Sequence, residues 1–404
     1  MRCKRILAAP LLACLLSCAP DGDPVRMAVL QWEPTARTYD LRVVEVRTLE
    51  NVAALRGDAA TPIGAASIRL DLRRLEGVET EKQFRKAVLE EPGSDVEAQF
   101  IEDDGVLYPS DFHSLSLATA YYNFEVSRAY ALARGMPEDR LRGVPFYYFP
   151  KLTTDPSRGF VADNAAWYPA LRSFLLFPFH ELQGIPLAAN QGVIAHEYGH
   201  GIFTALVHDG SWLPDYPARW GSAGAVMIES LEEGFADAWA LGVTGDLDFV
   251  ERSLDETDAM LRDVAFDRRK HCYSQDAFDE ELWKNKAYLG GPYWDGRKYQ
   301  IGTMWAAALH RAGQLPGTDF DRVMDALLAS YRAVGTGSLA DLVAHDPVGI
   351  TFGTFAAIAR AIVAGAPDSA TRTALCSVLM DRFSLEADEL GGRCDGAPRV
   401  RDCG

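Results

Sequence analysis

The chain has 404 residues, 48% of them hydrophobic, enough to bury one large core or two. Forty Lys and Arg stand against 57 Asp and Glu, a formal net charge of −17. Such a surface repels a phosphate backbone, so nucleic acid is excluded as an expected partner; no internal repeat or low-complexity tract suggests an array.

The first residues, Met1-Arg-Cys-Lys-Arg5, are basic, and Ile6 to Leu16 is an apolar run too short to cross a bilayer as a finished helix. Leu15-Leu16-Ser17-Cys18 resembles a bacterial lipobox. This predicts a lipoprotein signal peptide over 1–17, acylation of Cys18, and export with a lipid anchor in the membrane. Ala19 is not the Asp that often retains lipoproteins at an inner membrane, which favours an outer-membrane or cell-surface address. Residues 18–27, with Pro20, Gly22 and Pro24, form a tether.

From 28 to 110 the pattern alternates, as in Tyr39–Arg47 and Ser67–Leu72, and predicts a small β-rich N-terminal domain interrupted by a helix at Glu79–Leu89. The remainder, 111–404, is expected as an α+β unit: strands and helices over 111–210, then a mainly helical half over 211–404. Ala118–Gly135 reads as an amphipathic helix. Residues 163–179 read as two short strands around Pro169. An exposed strand edge there can recruit an extended peptide, while an ordinary core hairpin has the same pattern.

The chemistry concentrates in two helical segments. Asn190 is placed to cap the first and Gly210 to stop it, with Val193, Ile194, Phe203, Leu206 and Val207 spaced for burial. Within it, His196-Glu-Tyr-Gly-His200 puts two imidazoles one turn apart on one face, able to share a metal ion. Glu197 projects toward the same space and can take a proton from water there. Gly199 and Gly201 cost helix propensity, which suggests a close neighbour at that face.

In the second segment, Val226–Gly242, Glu229, Glu233 and Asp237 share a face, and Glu232 is turned about 100° from Glu233. A hydrolytic zinc takes three protein ligands and keeps one position open. His208, Glu229, Glu232 and Glu233 are candidates for the third. Leu206 stands where a metzincin pattern needs a histidine. Glu233 is favoured, because Gly234 and Ala236 allow close packing and Asp237 lies one turn on, placed to accept the free N–H of a ligand histidine, His196 in particular. Tracts around His180, His208, His271 and His310 lack a partner pattern. Once Cys3 and Cys14 leave with the signal, Cys272, Cys376, Cys394 and Cys403 remain, with three possible pairings and a C-terminal cluster suited to pinning the tail.

H-E-Y-G-H at 196–200 followed by E-G-F-A-D at 233–237 resembles the gluzincin metallopeptidases, the thermolysin and fungalysin families in particular. Asp163–Phe179 is similar to their N-A-x-(W/Y) edge strand and the hydrophobic strand after it, and the helix at 118–135 to the one opening the fungalysin catalytic domain. The resemblance covers about 112–310. It implies a thermolysin-like two-lobed α+β fold, Zn²⁺ on His196, His200 and Glu233, catalysis by Glu197, and pairing of extended substrate with Asn164 and Ala165. The family's propeptides occupy the place of 28–110, though this stretch is shorter.

Residues 296–306 resemble the fungalysin stretch V-H-x-I-G-x-V-W with one departure: Tyr299 stands where the family's histidine steadies the tetrahedral intermediate. A phenol can donate to an oxyanion, so Tyr299 joins Glu197 as an expected catalytic group. The implied protein is a monomeric, membrane-anchored zinc endopeptidase acting on protein or peptide. Alternatives are a binding lipoprotein on an inactive peptidase fold and a zinc hydrolase of cell-wall peptides. The acidic balance leaves Ca²⁺ as a second candidate ion, without an EF-hand-like loop.

Overall fold

The computed structural model describes residues 23–71, 74–154, 159–179, 184–208, 223–254, 264, 295–345 and 352–402. The signal segment, Cys18, His180, Gly210, His271, Cys272 and Cys403 lie outside the described residues.

The chain is mixed α and β, with strands concentrated toward the N-terminus. β1 (Val25–Glu33) and β2 (Thr38–Val46) form an antiparallel hairpin, which β10 (Val106–Pro109) joins in parallel with β1 and β9 (Phe100–Asp103) extends. β1 begins within the stretch expected as tether, because Val25 pairs with Val46. β3 (Leu49–Asn51) and β4 (Arg56–Gly57) make a short ribbon. A second sheet runs in the order β13 (Ala165–Tyr168), β14 (Ser173–Leu176), β11 (Val144–Tyr148), β5 (Ala60–Gly64), β8 (Ser94–Asp95). A third joins β12 (Lys151–Thr153), β6 (Ser67–Arg69) and β7 (Leu89–Glu91).

Strands from 28–110 and from 111–404 are therefore interleaved: β5 pairs in parallel with β11, and β6 with β12. The N-terminal stretch keeps the β2-β1-β10-β9 sheet and the β3-β4 ribbon to itself and shares the other two sheets with the rest of the chain. The physical reason lies in the two-sided alternation of Phe146-Tyr147-Tyr148 and Phe174-Leu175-Leu176. Tyr147 and Leu175 pack with Phe84 and Val88 of α1 (Glu81–Val88), while Phe146, Tyr148, Phe174 and Leu176 belong to the main core. Both faces of β11 and β14 are thus apolar and need cover.

α1 starts at a capping box, Thr80 with Gln83, inside the helix expected at 79–89. α2 (Phe112–Ala133) is capped by Asp111, buries Phe124 against Phe146 of β11 and Phe174 of β14, and sends the Tyr121 hydroxyl to the Thr48 carbonyl. The helical part comprises α3 (Gln191–Val207), α4 (Ala223–Thr244), α5 (Asp295–Gly313), α6 (Phe320–His345), α7 (Phe352–Gly365) and α8 (Ser369–Arg382). A disulfide joins Cys376 to Cys394 and fixes the C-terminal segment to α8. Among the described residues no helix is long and apolar enough to cross a membrane.

Candidate metal centre

The centre is built where α3, α4 and α5 approach within backbone contact. A Cβ on Gly199 would lie 2.8 Å from Ala236 Cα, and one on Gly234 would lie 2.5 Å from the Gly302 carbonyl oxygen. Gly302 in turn abuts Glu233 and Ser230. No side chain larger than hydrogen fits at these points, which accounts for the glycine in the H-E-Y-G-H helix at 199. Gly201 is different: a Cβ there meets Phe174 at an ordinary 3.6 Å.

α3 is anchored at its start by Asn190, fully buried. Its Oδ1 accepts from the N–H of Gly192 and Val193 and from the Tyr39 hydroxyl. Its Nδ2 donates to the Phe249 carbonyl and to Ser253 Oγ. The Gln191 N–H donates to the Tyr39 hydroxyl at 2.9 Å, so β2 holds the first turn of the helix. Phe249 also lies beside the His196 ring.

The four-residue spacing brings His196 Nε2 and His200 Nε2 to 3.1 Å. Glu233 Oε2 lies 3.4 Å from the first and 3.6 Å from the second. Donors on a tetrahedral zinc at about 2.05 Å would stand about 3.3 Å apart, so the observed triangle has the right size. Two nitrogens and one carboxylate oxygen are also the donor set of an open zinc site. Among the described residues, His196, His200 and Glu233 are the one such group of histidine, cysteine or carboxylate side chains.

Each ring's other nitrogen is held by a carboxylate. His196 Nδ1 is 3.0 Å from Asp237 Oδ1, and His200 Nδ1 is 3.0 Å from Glu232 Oε1. Both contacts fix the Nδ1–H tautomer and turn Nε2 toward the common centre. Asp237, with no exposed surface, also accepts from Thr303 Oγ1 at 3.0 Å. Glu232, weighed as a ligand from sequence, serves the outer ring nitrogen because it is rotated away from Glu233. His208 caps the C-terminal end of α3, its pKa lowered by burial, and is not in the group.

Burial alone would raise the Glu233 carboxyl, but the Lys298 and His200 charges hold it well below its usual 4.5. Burial alone would lower the His200 imidazole, but Glu233 and Glu232 lift it well above 6.5. A metal entering the group therefore competes with a proton on His200.

β13 is the edge of its sheet. Its pairing with β14 leaves the backbone of Ala165 and Trp167 directed outward, since Asn164 accepts inward from the Phe177 N–H. The Trp167 N–H donates to Glu197 Oε2 at 2.6 Å, and the Trp167 indole donates to Thr204 Oγ1 at 3.0 Å. Asn164 Oδ1 accepts from the Ala165 N–H. The edge strand is thus stitched to α3 at Trp167, with Ala165 two residues earlier on the same outward edge. Tyr299 lies in the first turns of α5, its ring centroid 5.0 Å from Lys298 Nζ. Lys298 reaches Glu233 Oε1 at 3.3 Å. Neither Lys298 nor Thr303 was marked by the spacing arguments, because both arrive on a third helix.

No known family model matches the chain, and no curated protein matches it.

Proposed function

We propose that this protein is a zinc-dependent metallopeptidase of gluzincin type, two-lobed in the manner of thermolysin, that hydrolyses peptide bonds in proteins or peptides outside the cytoplasm. The observation that carries the reading is the convergence of His196, His200 and Glu233 with a carboxylate behind each imidazole and Glu197 against an exposed strand edge.

His196, His200 and Glu233 would hold the zinc, and Asp237 and Glu232 keep the two imidazoles in the ligating tautomer. A zinc ion supplies Lewis acidity, making water easier to deprotonate and a carbonyl easier to attack. Substrate adds as an extended strand along β13, its backbone meeting the outward groups of Ala165. Glu197 accepts the proton of the attacking water and delivers it to the departing amine nitrogen. The Trp167 N–H fixes one carboxylate oxygen of Glu197, which leaves the other for proton transfer.

Acylation at Cys18 would tether the protein a short distance before β1, and the Cys376–Cys394 disulfide suits an oxidising compartment. The test is metal analysis together with casein digestion. Wild type is expected to carry one zinc per chain. Glu197→Gln is expected to keep it and to lose at least about 10²-fold in rate, since an amide cannot take the proton. Equal digestion by both proteins refutes the mechanism.

A further inference from the structure

We propose that Lys298 is a positioning residue of this centre: its ammonium holds Oε1 of Glu233 so that Oε2 alone faces the two imidazoles, and the ring of Tyr299 holds the ammonium. The inference rests on His196, His200 and Glu233 being metal ligands.

The placement follows from the helix contact. Gly302 lies against Gly234 and the Cβ of Glu233. Lys298 is one turn earlier on the same face of α5, so its side chain is carried over Glu233. Nζ stands 3.3 Å from Oε1, with the lysine side chain only 19% exposed and that of Glu233 6%. Oε2 points the other way, 3.4 and 3.6 Å from the two Nε2 atoms. One carboxylate is thus divided between the Lys298 ammonium and the pair of imidazoles.

Charge gives the arrangement its purpose. Glu197, Glu232, Glu233 and Asp237 are all buried around the group. A buried carboxylate is costly without a counter-charge. Among the described residues, Lys298 is the lysine or arginine that pairs with any of the four. Its position is otherwise unfavourable, because a cation in the first turn of α5 opposes the helix dipole. The Tyr299 ring, with its centroid 5.0 Å from Nζ, contributes a cation–π contact that offsets this. The aromatic face of Tyr299 therefore acts separately from the hydroxyl role that the family resemblance implies.

A carboxylate pinned through one oxygen gives a metal one donor atom, whereas a released carboxylate can give two. Cobalt(II) substituted into the protein reads this directly, because its visible bands are strong in four-coordinate sites and weak at higher coordination. The experiment records cobalt spectra and zinc affinity, by competition with a chromophoric chelator, for wild type and four variants. Lys298→Met is expected to weaken the visible bands and lower zinc affinity about 10-fold or more, the usual cost of losing an outer partner of a ligand. Lys298→Arg and Tyr299→Phe are expected to retain the wild-type spectrum. Tyr299→Leu, which removes the ring and keeps the lysine, is expected to shift in the direction of Lys298→Met and provides a second reading if that variant does not fold. Wild-type spectrum and affinity in both Lys298→Met and Tyr299→Leu overturn this inference and leave the metal site standing. A wild-type protein that takes up no cobalt or zinc overturns the metal site, and this inference with it.

Discussion

Gly199 and Gly201 lie on one helix two residues apart, yet replacing them by alanine has opposite consequences. Alanine is favoured over glycine in a helix interior by about 1 kcal/mol, and that gain applies at both positions. At Gly201 the new methyl meets Phe174 at 3.6 Å and Trp167 at 3.8 Å, ordinary contacts, so the gain survives. At Gly199 the methyl would lie 2.8 Å from Ala236 Cα and 3.1 Å from Trp239 Cβ. The first of these is main chain on another helix, which cannot rotate away. Forcing a methyl into such packing costs about 1–3 kcal/mol. Gly199→Ala should therefore be less stable than Gly201→Ala by about that amount. It should also bind zinc more weakly, because Ala236 lies between Glu233 and Asp237, and moving α4 moves both. Urea unfolding in the presence of a chelator measures the first effect, and chelator competition measures the second. If Gly199→Ala proves as stable as Gly201→Ala, the close approach of α3 and α4 is not as described.

Asp237→Asn should reduce zinc affinity about 10–100-fold, because an amide is a weaker acceptor for the His196 Nδ1–H; an unchanged chelator titration would argue against that carboxylate holding the ring. Tyr39→Phe should lower stability by about 1–3 kcal/mol, since the buried Gln191 N–H loses its acceptor and Asn190 Oδ1 loses a donor. A variant with a wild-type unfolding midpoint would show that β2 does not anchor the start of α3.

Much of the centre was legible because helical periodicity is a short-range rule. His196, His200 and the cap at Asn190 follow from spacing within one helix, and Asp237 from one turn beyond Glu233. The choice of Glu233 over Glu229 rests on the small residues beside it and on Asp237 one turn on, and Gly234 does lie against the Gly302 backbone. The two strands around Pro169 were also visible in local pattern, whereas the edge position of β13 was only implied by the family resemblance. What escaped was long-range or carried by the main chain. Lys298 matters only because Gly302 sets α5 on α4. The Trp167 N–H is a donor that every residue but proline possesses, so no side chain marks it. Glu232 was visible as an acid, but its service to His200 Nδ1 depends on how α4 is rotated against α3. The parallel pairing of β5 with β11 joins segments far apart in sequence, and periodicity says nothing about which strands meet.

That pairing also governs the order in which the molecule can be assembled. β5 has β11 on one side and the two-residue β8 on the other, so most of its backbone bonds wait for residues 144–148. β6 waits likewise for β12. A chain emerging N-terminus first exposes these strands well before their partners exist, and the long loops that must close make their pairing slow. Nor can the early strands be discarded once the molecule is complete. Excision of 28–110 would open an edge along β11 and strip α1 from the other face of the sheet, the same sheet that carries β13 beside Glu197. Cutting this segment away would therefore take part of that sheet with it.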